Sequence, residues 1–206
     1  MHVILAMVGS LLAAGGTLPY IVQTVHGTTK PRIVTWLTWS MLTGVAAAAA
    51  FAAGDVSSGT FALLGAVATG LIVVVGLRYG DRSFGRLDVL CMMGVIVGLV
   101  LWQLLKTPAI GVGAAIIIDF VGFVPTFRHA WEKPHEETAS TFALVGAGGV
   151  LAAGAIAATG VITVTSIGYP LYVAVSMTAC ALVTLLRRRR RLVGDVPLPA
   201  DEPSEA

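Results

Sequence analysis

Asp119 stands in the middle of an apolar run, A-I-I-I-D-F-V-G-F, about eleven residues from either end of the stretch 108–131. No other acidic residue lies so deep in an apolar stretch. A lone carboxylate at that depth in hydrocarbon costs on the order of a few kcal/mol if charged, so it is protonated, paired, or turned towards a water-filled cavity. One reading is a substrate or proton site. The other is a neutral acid that bonds a carbonyl of a neighbouring helix for packing.

Three other stretches place polar groups on single helical faces. Trp36, Trp39, Ser40 and Thr43 recur at i, i+3, i+4 and i+7. Thr165, Tyr169, Tyr172 and Ser176 do the same around Pro170, and Ser10, Thr17, Tyr20 and Thr24 share a face with Gln23 beside it. Large aromatics next to hydroxyls supply stacking area and hydrogen bonds, which suits the wall of a path for a polar, ring-bearing solute. The candidate solute-binding residues are therefore Asp119, Trp36, Trp39, Thr43, Tyr20, Gln23, Tyr169, Tyr172 and Ser176. Two plainer readings stay open: an interfacial belt for Trp36, and helix-to-helix hydrogen bonding for any single Ser or Thr. Pro19 and Pro125 each remove a backbone hydrogen bond near one end of an apolar stretch and permit a bend, so both are candidate hinges.

The elements that position these residues follow from composition. The chain is 56% hydrophobic and 12% charged, with a mean hydropathy of +0.88. Soluble domains carry about a quarter charged residues, so this is an integral membrane protein. Seven apolar segments can be drawn, at about 2–24, 34–53, 59–77, 88–105, 108–131, 139–160 and 165–186. Each approaches the roughly 20 residues that a helix needs to cross a bilayer. Long apolar runs without alternation exclude a barrel, leaving an all-α membrane fold of seven transmembrane helices. Cys91 and Cys180 lie inside apolar segments and form no metal-ligand pattern. His135-Glu136-Glu137 lacks a second histidine at i+4 and reads as a solvated loop. No catalytic set, metal site or cofactor motif is expected.

An internal repeat at an offset of 106 pairs Gly16 with Gly122, Pro19 with Pro125, Thr35 with Thr141 and Trp36 with Phe142. The matching partner of Asp119 is Ala13, so a site built on Asp119 is asymmetric. The repeat divides the chain into a first three-helix bundle (1–77), a loop and linker helix (78–106), a second bundle (107–186), and a basic stop with a disordered tail (187–206). This is a parallel three-plus-one-plus-three arrangement. Twelve of the thirteen basic residues fall on one side of such a chain, and Lys106 alone falls on the other. The positive-inside rule then puts the N-terminus outside and the C-terminus in the cytosol. Arg187–Arg191 reads as a stop and anionic-lipid anchor rather than a nucleic-acid site. Self-association is left open.

With G-T-L-P-Y-I-V-Q-T-V-H-G-T-T-K-P-R-I-V-T-W-L-T-W and I-D-F-V-G-F-V-P-T-F-R-H-A-W-E-K-P-H-E-E-T in view, the layout resembles the SWEET and PQ-loop superfamily of seven-helix transporters over about residues 1–186, and a bacterial branch of it. The resemblance implies two three-helix bundles around a central sugar or amino-acid site, an inversion linker helix, alternating access, and hinge roles for Pro19 and Pro125. The Pro-Gln pair of the PQ-loop group is absent, since Tyr20 follows Pro19 and Thr126 follows Pro125. PnuC-type vitamin transporters share the three-plus-one-plus-three layout. The expected function is alternating-access transport or facilitated diffusion of a small polar solute across a bacterial plasma membrane. The competing class is a membrane sensor or structural module that transports nothing. A rhodopsin would need a lysine in mid-membrane, and an intramembrane aspartyl protease a second carboxylate; neither is in the sequence.

Overall fold

The computed structural model describes residues 2–52, 56–82, 85–105, 108–160 and 162–194. Lys106 and the tail 195–206 lie outside the described residues, as do the side chains of Thr60 and Cys91. The described chain is helical: α1 (His2–Gly15), α2 (Leu18–Val25), α3 (Ile33–Ala52), α4 (Val56–Tyr79), α5 (Arg86–Leu105), α6 (Pro108–Glu132), a 3₁₀ turn (Pro134–Glu136), α7 (Ala139–Ala157) and α8 (Val164–Gly194). Four stretches among the described residues are long and apolar enough to cross a membrane: Ile4–Val25, Ala62–Tyr79, Ala139–Ala157 and Val164–Arg190.

Burial runs opposite to that of a water-soluble bundle. Leu63, Val67, Leu71 and Val74 of α4, and Leu171, Val175, Leu182 and Leu186 of α8, form exposed apolar stripes. Thr24, Thr29, Thr35, Thr38, Asp119 and Glu137 are buried instead. Apolar surface on this scale is stable only against lipid, and the protein is an integral membrane protein.

Several boundaries reflect local chemistry. The first apolar stretch is interrupted at Gly16–Thr17, where Pro19 occupies the first turn of α2 and has no N–H to leave unpaired. Its counterpart α6 runs continuously through Pro125. The two prolines therefore sit in different local structures. Gly27, with φ at 76°, closes α2 in the left-handed conformation that glycine adopts without strain. Helix α8 continues past the apolar segment 165–186 and through the arginine run to Gly194. A helix needs no apolar residues to persist beyond lipid, and arginine is a good helix former.

His2 and Pro108 start helices 106 positions apart, and so do Ile33 and Ala139. The repeat pairs α1–α2 with α6, and α3 with α7. Equivalent contacts are not equally tight. Against α7, α1 packs through Gly9, Ala13 and Gly16: a Cβ on Gly16 would lie 2.7 Å from the Cβ of Leu144, and one on Gly148 would lie 2.8 Å from that of Ala13. The equivalent pair, Gly122 and Thr38, leaves 3.5 Å, and α3 packs less extensively on α6 than α1 does on α7. Asp119 occupies the position that Ala13 fills in the tight interface.

Candidate functional site

Asp119 is 3% exposed. Its polar neighbours Tyr169 and Tyr172 come from α8, and their rings lie 6.1 Å apart. Ser176, one turn beyond Tyr172, lies beside that phenol. The Asp119 Oδ2 atom and the Tyr172 hydroxyl are both buried and face each other without closing to full hydrogen-bond geometry. On α3, Thr35 Oγ1, Thr38 Oγ1 and Trp39 Nε1 are buried without a partner, Trp36 Nε1 faces the Tyr20 hydroxyl, and Thr141 of α7 adds another unpaired group. An unpaired buried polar group costs about 1–3 kcal/mol. Of these, Thr38 and Trp39 border the looser of the two equivalent interfaces, against Gly122 and Phe123.

Below Asp119 the interior is filled by aromatic rings. Phe123, one turn further along the same face of α6, stacks on Trp39 at 5.8 Å. Trp39 meets Trp36 edge-on at 4.9 Å, and Trp36 meets Tyr20 at 4.7 Å. Phe142, the repeat equivalent of Trp36, lies 6.3 Å from Tyr20 on another side. Trp36 and Trp39 are 3% and 4% exposed, which places both in the interior rather than in an interfacial belt.

The chain of rings ends at a polar closure on the face where the basic loops converge. The Tyr20 hydroxyl donates to Glu137 Oε2 at 3.1 Å. The Oε1 atom of Gln23 accepts from Thr138 at 3.1 Å and from Thr29 at 3.4 Å, and the hydroxyls of Thr29 and Thr138 lie 2.7 Å apart. From α8, Arg188 donates to the main-chain oxygens of Pro134 and Glu137, while Arg187 bonds the Trp131 carbonyl and covers its ring. His129 contacts Glu136 through Nε2 at 3.0 Å. Beside this closure lies a cleft of about 460 Å³, lined by Arg32, Asp81, Arg86, Pro125, Arg128, His129 and others.

Glu137 corrects the expectation of a solvated loop, because its side chain is 1% exposed. Burial pushes its carboxyl up to about 8, against the Tyr20 hydrogen bond and the Arg188 charge, with Glu136 adding to the rise. Glu136 is partly buried, which raises its carboxyl, but the His129 hydrogen bond and the charges of Lys133 and Lys30 hold it below the usual range.

The structure thus sorts the candidates into groups. Asp119, Tyr169, Tyr172 and Ser176 come together between α6 and α8, Trp36 and Trp39 belong to the ring stack, and Tyr20 and Gln23 belong to the polar cluster at its end. Thr43 is satisfied within its own helix, donating to the Trp39 carbonyl at 2.7 Å. Ser40 ties α3 to the Ala66 carbonyl of α4, and Thr165 pairs with Thr163 on the exposed rim. Among the described residues no cluster of His, Cys, Asp and Glu suits a metal ion. No family model, curated protein or solved structure matches this chain.

Proposed function

We propose that the protein is a seven-helix transporter of three-plus-one-plus-three design that moves a small polar solute by alternating access. The single observation that carries this reading is the buried Asp119 carboxyl set against the Tyr169 and Tyr172 hydroxyls, with the unpaired polar groups of Thr35, Thr38 and Trp39 on neighbouring α3. A packing role would satisfy these groups. A solute with its own donors and acceptors satisfies them only while bound.

The closure at Tyr20 and Glu137 and the ring stack behind it describe a conformation sealed towards the loop-bearing face. That face is the cytosolic one under the positive-inside rule, with the N-terminus outside, in a bacterial plasma membrane. The helix starts 106 residues apart support two bundles with α5 between them, and the resemblance to SWEET and PQ-loop transporters points the same way. Pro19 and Pro125 are the hinges of this reading. Arg189 and Arg190, exposed on α8, are the members of the arginine run placed to meet anionic lipid.

The test is flux in proteoliposomes across a panel of labelled hexoses, amino acids and nucleosides. Saturable flux of one class, weakened by Tyr172→Phe, supports the reading. No flux above empty liposomes for every class overturns it in favour of a sensor or structural module.

A further inference from the structure

We propose that Glu137 is a second proton-binding site, outside the membrane core, whose protonation fastens the turn after α2 to the segment between α6 and α7. The site stands on geometry. Glu137 bridges the two repeats through Tyr20, and every wall around it is protein, since its side chain is 1% exposed.

The titratable and charged groups that face it come from each packed element. Tyr20 on α2 donates to Oε2. His129 on α6 holds Nδ1 at 3.9 Å from Oε1. Arg188 on α8 lies near, but its guanidinium is engaged by the main-chain oxygens of Pro134 and Glu137. Cys180 lies on the same helix nearby. Adjacent Glu136 adds negative charge, and Lys30 and Lys133 pair with Glu136. The carboxyl is therefore enclosed with one hydroxyl donor and a histidine just beyond hydrogen-bond range. Such an enclosure holds the neutral acid better than the anion.

The direction of coupling follows. In the closed join the carboxyl titrates at about 8, against 4.5 for a hydrated glutamate. Between those values closing takes up one proton and opening releases it, so the ratio of closed to open falls tenfold per pH unit. Below that window both states are protonated, and above it both are ionised. High pH on the loop-bearing side opens the join.

This proposal does not depend on what, if anything, the protein transports. Its test is a distance measurement between spin labels on cysteines substituted for Thr28 and His135, which are exposed on the two sides of the join. The measurement uses the full chain in liposomes with Cys91→Ser and Cys180→Ala. The short distance should dominate at pH 6 and give way to a longer one by pH 9. Glu137→Gln should hold the short distance throughout. Tyr20→Phe should move the transition to lower pH, because it removes a bond made only in the closed join. A distance that ignores pH overturns the proposal. So does a parent-like response in Glu137→Gln that disappears in His129→Ala, which assigns the switch to the histidine. If Glu137→Gln does not fold, Tyr20→Phe decides, and a transition that stays in place or moves to higher pH overturns the proposal.

Discussion

Lys30 and Glu136 stand at the same position of the two repeats, and they pair with each other. Lys30 Nζ lies 3.5 Å from Glu136 Oε1, and the Lys30 main-chain N–H donates to the Glu136 carbonyl at 3.1 Å. A residue that meets its own equivalent lies on the axis relating the two copies. These contacts tie the loop after α2 to the turn after α6. The ion pair is a minor contributor, because Lys30 is half exposed and such pairs give about 0–1 kcal/mol.

Lys30→Ala should leave stability in detergent within about 1 kcal/mol of the parent. Thr138→Val should cost about 1–3 kcal/mol, since Thr29 and Gln23 then lose a buried partner. Denaturant unfolding of the two variants checks the order. Equal losses would show that the exposed charge, not the buried hydroxyl, holds the join.

Helix α1 meets α7 without room for a methyl group, and α6 meets α3 with room to spare. Gly148→Ala, whose Cβ would lie 2.7 Å from the Gly9 carbonyl oxygen, should destabilise by about 1–3 kcal/mol. Gly122→Ala, at 3.5 Å from the Thr38 methyl, should stay within about 0.5 kcal/mol. Thermal unfolding reads both. A costly Gly122→Ala would mean that the second interface is as tight as the first.

Stability should depend on pH through Glu137. A carboxyl raised from 4.5 to about 8 by burial contributes stability that is fully present below 4.5 and lost as pH rises through 8. Unfolding in detergent should thus need less denaturant at pH 9 than at pH 6, and Glu137→Gln should flatten that difference. A parent more stable at pH 9 would contradict the sign.

Asp119→Asn keeps the shape and hydrogen bonding of the side chain but cannot titrate. If alternate exposure of Asp119 couples the cycle to protons, this variant should still exchange solute yet lose accumulation driven by a pH gradient. Proteoliposomes with and without an imposed gradient separate the two rates. Parent-like accumulation would make Asp119 a hydrogen-bonding residue in a facilitator.

Alanine at both Pro19 and Pro125 should slow exchange while leaving the protein folded. The larger part should come from Pro125, which lies inside a continuous helix, where alanine restores an N–H to the ladder. Pro19 opens α2 and blocks no such bond. Unchanged exchange in the double variant would remove the hinge role.

Hydropathy is a local property. It was enough to show a membrane protein of helices, to find the starts of α6 and α7, and to mark Asp119 as a carboxyl that needs a reason for its depth. Helical spacing likewise put Tyr169, Tyr172 and Ser176 on one face. What the residues touch depends on segments far apart in the chain, and only the tertiary structure decided that. Glu137 reads as a loop acid because its neighbours in sequence are charged. It is buried because Tyr20, 117 positions away, and Arg188 close over it. Thr43 reads as a site residue by its face, yet its hydroxyl is spent on its own helix. The repeat predicts that Ala13 and Asp119 occupy equivalent places, but not that the first is pressed against Gly148. Steric fit between two helix surfaces made one interface tight and left the other loose, and Asp119 stands at the loose one where Ala13 stands at the tight one.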